Sequence, residues 1–233
     1  MENINQLKKF WSKKKIFITG HTGFKGSWLS IMLIYLDSIV DGYSLKPKKN
    51  SLFKKSMISK DLKSNTYANI NNIKTLKNKL KRCKPEIVFH LAAQPLVLES
   101  YEKPLKTFNT NIMGTLNLLE SIKGVKSIKS VVIITTDKVY KINKNNKSYK
   151  ELDELGGNDP YSASKVCTEI VVDSYIKSFF KNTGLQNRIS TARAGNVIGG
   201  GDFSKYRLVP DIIYSINNNI KLNIRNPDNI RPW

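Results

Sequence analysis

Short apolar runs of strand length alternate along this chain with segments whose apolar residues recur every three to four positions. That alternation is the mark of strands interleaved with helices. Ile16-Phe17-Ile18-Thr19 predicts a buried first strand, and Ser27 to Leu36 predicts the helix after it. Ile39 to Tyr43 predicts a second strand, residues 44–65 a basic loop, and Tyr67 to Ile70 a short third strand. A helix over Ile73 to Lys81, a strand over Ile87 to Leu91, a helix over Thr107 to Ser121 and a strand over Val131 to Thr135 follow. After a polar loop at 141–158 come a long helix from Tyr161 to Phe180 and a sixth strand from Ile189 to Ala192. This order predicts an α/β fold, a doubly wound parallel sheet whose ligand sits at the carboxyl ends of the strands.

Composition narrows the picture. With 233 residues and 40% apolar content, the chain can bury a sizeable core. It has no apolar run of about eighteen residues, the length a membrane span needs. Its first residues, Met1-Glu2-Asn3-Ile4-Asn5, are polar and no apolar stretch follows, so we expect no leader and a cytoplasmic protein. Cys83 and Cys167 make no disulfide framework, Cys167 reads as a packing residue, and no metal is expected from these cysteines or from His21 and His90. The net charge of +21 raises a nucleic-acid partner. The lysines, however, scatter over 13–15, 46–60, 74–84, 123–129 and 138–150, with no single basic helix. We read the charge as solvated surface, with a smaller part in steering an anionic, diphosphate-bearing substrate.

Two motifs carry chemistry. Gly20-His21-Thr22-Gly23-Phe24-Lys25-Gly26 lies between the first strand and its helix. Glycines there allow a tight turn and close approach to a pyrophosphate, which the helix N-terminus attracts. Phe24 and Trp28 read as packing residues beside the turn. The second motif is Tyr161-x-x-x-Lys165, whose spacing places both side chains on one helix face. An ammonium near the phenol is expected to lower its pKa from about 10, making Tyr161 a proton acceptor. Thr136 ends the fifth strand 25 residues before Tyr161 and is followed by Asp137 and Lys138. An acid and a base beside a redox centre suit the elimination of water: one takes a carbon-bound proton while the other protonates a leaving hydroxyl.

The glycine spacing and the 25-residue interval resemble the extended short-chain dehydrogenase/reductase family, and the strings His90-Leu91-Ala92-Ala93-Gln94-Pro95, Asn111-Ile112-Met113-Gly114-Thr115 and Ala194-Gly195-Asn196-Val197 resemble its CDP-glucose 4,6-dehydratases. Within it, Thr136-Asp137-Lys138 and the string through Gly199-Gly200-Gly201-Asp202 resemble the CDP-glucose 4,6-dehydratases, where related dTDP-glucose enzymes carry Thr-Asp-Glu. The resemblance implies a Rossmann-like NAD-binding domain over 1–195 and only the beginning of a substrate domain over 196–233. Family members continue for roughly another hundred residues, a typical small domain.

The resemblance also implies a nucleotide-sugar substrate, CDP-glucose, and a homo-oligomer. Its implied cofactor contacts are Gly20, Thr22, Gly23, Phe24, Lys25, Gly26, Asn69, Ile70, Leu91, Ala92, Ala93, Gln94, Asn111, Thr135, Tyr161 and Lys165. Gln94, Asn196, Arg207 and Arg231 are the implied substrate contacts. Thr136, Asp137, Lys138, Tyr161 and Lys165 are the implied catalytic set. Another sugar-nucleotide dehydratase or epimerase, or a non-catalytic nucleotide- or RNA-binding protein, stays open as an alternative.

Overall fold

The computed structural model describes residues 2–142, 148–224 and 226–228. Six parallel strands form one sheet: β1 (Lys15–Thr19), β2 (Ile39–Ser44), β3 (Ser64–Tyr67), β4 (Ile87–His90), β5 (Ser130–Ile134) and β6 (Ile189–Ala192). Their spatial order is β3-β2-β1-β4-β5-β6, so the winding reverses between β1 and β4. A crevice opens at that point on the carboxyl side, where open α/β sheets bind ligands.

Strand alternation builds two cores. Ile16 and Ile18 of β1 face one side with Leu33, Val40 and Phe53. Phe17 faces the other, with Leu76 and Leu80 of α4 (Ile73–Cys83), Leu118 and Leu119 of α7 (Gly114–Ile122) and Val172 of α8 (Pro160–Tyr175). Both faces are covered, which is why the strands read as continuous apolar runs. On the first face α2 (Phe24–Tyr35) follows β1. Before it, α1 (Glu2–Trp11) leans the Trp11 ring against Phe89, with ring centroids 6.3 Å apart.

Three predicted elements differ. The third strand lies at Ser64–Tyr67, not Tyr67–Ile70, and pairs through Asp41↔Ser64 to Ser44↔Tyr67. An edge strand needs backbone pairing more than apolar side chains, so Ser-Asn-Thr-Tyr leaves no hydropathy signal. The segment 44–65 is not a plain loop: it also holds α3 (Leu52–Lys55), where Phe53 is buried. The helix predicted over 107–121 is broken into α6 (Pro104–Phe108), a π-turn at Asn109–Met113 and α7, after a separate α5 (Val97–Glu102). Likewise α8 ends at Tyr175 and passes into a π-turn over Ile176–Phe180. Beyond β6, α9 (Leu208–Asn217) buries none of its residues. Among the described residues no helix is long and apolar enough to cross a membrane.

Candidate active site

The glycine turn closes β1 onto α2. Gly20 has φ +77°, and a Cβ there would lie 2.6 Å from the Ala92 nitrogen at the end of β4. A Cβ on Gly26 would lie 2.1 Å from the Gly20 carbonyl oxygen, so only glycine lets the helix approach this closely. Gly23 differs: a Cβ there meets only the Gly20 carbonyl oxygen, at 3.3 Å. Gly23 caps α2 without a side-chain hydrogen bond. The first-turn amides thus keep their hydrogens for an anion. A dinucleotide pyrophosphate fits this turn.

The neighbouring contacts separate scaffold from site. The Thr22 hydroxyl donates to the Leu45 carbonyl at 3.0 Å, tying the turn to the end of β2. Asn69 accepts from the Asn71 amide at 2.9 Å and, through its carbonyl, from the Tyr43 hydroxyl at 2.9 Å; Ile70 packs under Gly114. Both lie just after β3, two strands away from the turn that follows β1. Gln94 is buried, and its amide group donates to the Leu96 carbonyl (3.0 Å) and the Thr107 hydroxyl (2.8 Å). Those two bonds use both hydrogens of its side-chain amide.

Asn111 sits in the π-turn and locks two elements together. Its amide donates to the Gln94 carbonyl (3.1 Å) and to the Ser164 hydroxyl (2.8 Å), while its side-chain oxygen accepts from the Gln94 amide (2.8 Å). Its backbone carbonyl accepts from Thr115 (2.7 Å) and Thr168 (3.1 Å). The Thr115 hydrogen is thereby committed, so His90 Nε2 donates to Thr115 Oγ1 (3.1 Å). His90 Nδ1 then accepts from Thr19 Oγ1 at 2.7 Å. Burial, and secondarily Lys165, push the imidazole down to about 3, so it is neutral. This relay joins β1, β4 and the π-turn beneath the crevice. Sequence reasoning saw His90 only as the end of a buried strand, since both of its partners are remote in the chain.

Helix α8 begins at Asp159, whose carboxylate accepts from the Ser162 amide at 2.9 Å, with Pro160 in the first turn. That start presents Tyr161 and Lys165 to the ends of β5. Lys165 Nζ donates to the Ile134 carbonyl at 2.9 Å. Burial, then the nearby Lys25 charge, lower it to about 8, with Glu169 acting in the opposite sense. The expected lowering of the Tyr161 pKa by Lys165 is corrected here. Burial raises the phenol, and the opposing influences come from the Thr136 hydroxyl and the Arg207 guanidinium. Losing water around the phenolate outweighs them, and the lysine is directed to the strand carbonyl instead.

Thr136 and Asp137 lie beside Tyr161, and Lys138 follows them in the same turn. The Thr136 hydroxyl donates to Asp137 Oδ1 at 3.0 Å, and the Asp137 amide donates to the Ala194 carbonyl at 3.0 Å. Asp137 and Lys138 line a hollow of about 190 Å³ with Tyr140, Tyr149, Asp159 and Ser162; Lys138 is exposed. A second cavity, of about 370 Å³, is walled by Phe24, Lys25, Trp28, Val197, Ile198 and Gly199. Lys25 is lowered by burial and by Arg207 and raised by Asp137, so these groups share one electrostatic environment. Asn196 directly precedes the cavity wall, while Arg207 pairs with Asp202 at 2.8 Å. Arg231 lies outside the described residues. Trp28 is more than packing: it is 46% exposed, and its Nε1 donates to the Gly200 carbonyl at 2.9 Å, fastening the segment after β6 across α2.

A doubly wound sheet with a glycine turn at its switch point, and a Thr-Tyr-Lys set at the neighbouring strand ends, defines a Rossmann-type protein of the dehydrogenase/reductase kind. More particularly, the chain belongs to the GDP-mannose 4,6 dehydratase family, whose model matches residues 17–233. A CDP-glucose 4,6-dehydratase of Salmonella typhimurium strain LT2 is 49% identical over 230 residues, covering 97% of this chain and 64% of that protein. UDP-glucuronic acid 4-epimerase from Bacillus cereus, solved with UDP-glucuronic acid and NAD, superimposes with a TM-score of 0.74 at 25% identity. That match covers 89% of this chain and 64% of the other. A dTDP-glucose 4,6-dehydratase double mutant from Streptomyces venezuelae, with a TM-score of 0.76 and 20% identity over 88% of this chain and 62% of its own, shares the fold. The chain therefore spans less than two thirds of the length of each of these proteins.

Proposed function

We propose that this chain is the cofactor-binding and catalytic part of an NAD-dependent CDP-glucose 4,6-dehydratase, acting in the cytoplasm as a homo-oligomer. The observation that carries the reading is the turn Thr136-Asp137-Lys138 at the end of β5, whose Thr136 and Asp137 act on Tyr161 and whose Asp137 and Lys138 line one hollow. The 49% identity to a CDP-glucose 4,6-dehydratase supports it. Residues 1–195 hold the cofactor, and the region from 196 onward contributes to the sugar nucleotide.

NAD bound at the glycine turn would supply the two-electron chemistry, a hydride acceptor for C4 and a hydride donor for C6. Gly20, Gly23 and Gly26 would admit its pyrophosphate, and the first-turn amides of α2 would bind it. Tyr161, with Thr136 beside it, takes the proton of the C4 hydroxyl as that carbon is oxidised to a ketone. The ketone acidifies the C5 hydrogen. Lys138 removes that proton, Asp137 protonates the C6 hydroxyl, and the C6–O bond breaks with loss of water. A proton then returns to C5, so the sugar leaves as a 4-keto-6-deoxy product with no net oxidation. Lys25 and Arg207 lie where a diphosphate would meet positive charge.

Two variants test the assignment. Lys138→Ala is expected to oxidise C4 but to lose exchange of the C5 hydrogen with solvent deuterium. Asp137→Asn is expected to keep that exchange and stall before water leaves. Wild-type exchange and 6-deoxy product from Lys138→Ala would remove the proposed base. The rival reading is a sugar-nucleotide epimerase, since epimerases share the fold. Product analysis across CDP-, dTDP-, UDP- and GDP-sugars separates the two: an epimerase yields a C4 epimer and no 4-keto-6-deoxy sugar.

A further inference from the structure

Glu169 is a buried carboxylate that the chemistry above does not use; it is 7% exposed. It lies one helical turn beyond Lys165 on α8, at the i+4 position. Its Oε1 accepts from the Thr135 hydroxyl at 2.7 Å and from Arg193 Nε at 2.9 Å. Its Oε2 accepts from Arg193 Nη2 at 2.5 Å. Arg193, just past β6, has a second set of contacts. Its Nη1 donates to the Glu151 carbonyl at 3.0 Å, and its guanidinium lies 4.7 Å from the centroid of the Tyr140 ring. Tyr140 in turn stacks on Tyr149 with centroids 4.6 Å apart.

Thr135 and Tyr140 are the residues on either side of Thr136-Asp137-Lys138-Val139. One buried ion pair therefore grips both ends of the short turn that carries the acid and the base. At the near end the grip is a hydroxyl-to-carboxylate bond. At the far end it is a guanidinium on an aromatic face. Between them the turn is held by short local bonds: the Thr136 hydroxyl donates to Asp137 Oδ1 at 3.0 Å and accepts from the Lys138 amide at 3.4 Å, and backbone bonds add to these. The Asp137 amide donates to the Ala194 carbonyl at 3.0 Å, the Val139 amide to the Thr136 carbonyl at 3.3 Å, and the Tyr140 amide to the Asp137 carbonyl at 3.2 Å.

We propose that the Arg193–Glu169 pair is a positioning element that staples both ends of the turn 136–139 and so aims Asp137 and Lys138, without itself touching substrate. The staple stands on the geometry alone; its consequence for elimination rests on the dehydratase reading. Arginine is required because one planar fork must meet the carboxylate, a backbone carbonyl and a ring face together. A lysine ammonium on the same helix-facing side is a point charge and cannot do so.

The test uses Arg193→Gln and Arg193→Lys in the whole chain, each checked for folding by circular dichroism. Amide hydrogen exchange is read by mass spectrometry on peptides covering 136–141 and, as a control, 16–26. In both variants, exchange at 136–141 is expected to rise at least tenfold while 16–26 stays at the wild-type level. With CDP-glucose and NAD, solvent exchange of the C5 hydrogen is expected to fall at least tenfold relative to transient NADH formation. A merely structural ion pair would lower both activities together.

Wild-type protection at 136–141 in the variants, or a rise shared equally by 16–26, overturns the staple. Should the wild type form no NADH with CDP-glucose while the variants still lose protection at 136–141, the staple holds and the dehydratase reading falls. If the arginine variants do not fold, Tyr140→Ala carries the test. It removes one end of the staple and is expected to give the same local loss of protection.

Discussion

Replacing Lys165 by methionine is expected to change how the stability of this protein depends on pH. The buried ammonium has its pKa lowered from the ordinary 10.5 to about 8, first by burial and then by Lys25, against a smaller opposing influence from Glu169. In the unfolded chain the lysine keeps its proton up to about 10.4. Between pH 8 and that value, the unfolded state therefore binds one more proton than the folded state, and stability rises with pH. Each unit is worth about 1.4 kcal/mol, so the shift as a whole corresponds to about 3 kcal/mol. Below pH 8 the folded protein carries that penalty in full. Above 10.4 it is relieved.

Methionine keeps the length and apolar stem without the charge, but leaves the Ile134 carbonyl without the donor now 2.9 Å away. That loss costs about 1–3 kcal/mol and does not vary with pH. The absolute difference at pH 7 therefore mixes two opposing effects, whereas its pH dependence isolates one. Urea unfolding of both proteins at half-unit steps from pH 7 to 10.5 measures it. The wild type is expected to gain about 3 kcal/mol on the variant across that range, a midpoint change of about 1 M or more at ordinary urea slopes. Titration of Tyr43, Tyr161 and the surface lysines is common to both proteins. Among the described residues, Lys25, Glu169 and His90 face Lys165 closely enough to respond to its removal. A stability difference that stays constant over this range, or drifts in favour of the variant, would refute the reasoning.

Other expectations follow from single positions. His90, held down near 3 against an ordinary 6.5, should make the wild type lose stability as pH falls below 6.5, because only the unfolded chain accepts the proton. His90→Asn should flatten that acid slope by about 3 kcal/mol between pH 6.5 and 4, read by urea unfolding. Gly23→Val should leave a folded protein, since little stands near that position, yet abolish NAD binding by calorimetric titration. Gly26→Ala should cost more than about 3 kcal/mol or prevent folding, because its Cβ would meet a backbone oxygen at 2.1 Å. Gly124→Ala, with φ +77° and open space, should cost only about 1 kcal/mol, both glycine variants being read by urea unfolding.

What could be read from the chain followed from how local each signal was. β1, β4 and β5 are buried on both faces and so announce themselves as apolar runs; β3 is polar at an edge and does not. The start of α1 reads as polar because residues 3–7 face solvent, while Trp11 at its end packs against the core. Tyr161 and Lys165 share a helix, and the glycines share a turn, so spacing alone brings them together. Where a role depends on a remote partner, spacing misleads or is silent. The Lys165 ammonium, assumed to serve the phenol four residues away, is claimed by a carbonyl of β5. Arg193 looks like one of many cations until Glu169, Glu151 and Tyr140 converge on it. The i+4 step from Lys165 to Glu169 was the one local hint.

The charge of the chain divides along the same line between surface and site. Much of the +21 excess is carried by exposed lysines, several of them paired with acids, as in Lys129–Glu86, Lys106–Glu99 and Lys177–Asp173. Such pairs contribute about 0–1 kcal/mol each and say little about function. Lys25, Lys165 and Arg207 differ in kind. Two of them are depressed by burial, and each of those two is depressed further by another cation of the group. Arg207 has Asp202 beside it, Lys165 feels Glu169, and Lys25 feels Asp137. Gathering cations where water is excluded destabilises the fold, and a surface lysine would avoid that cost entirely. An anion entering beside the glycine turn would favour the charged lysines and raise both depressed pKa values. Binding of a diphosphate-bearing ligand should therefore take up protons between about pH 8 and 10, where Lys165 is only partly charged in the free protein. Calorimetric titrations of NAD in buffers of different ionisation enthalpy measure that uptake. Proton release, or none, would mean that the buried cations do not serve the anion.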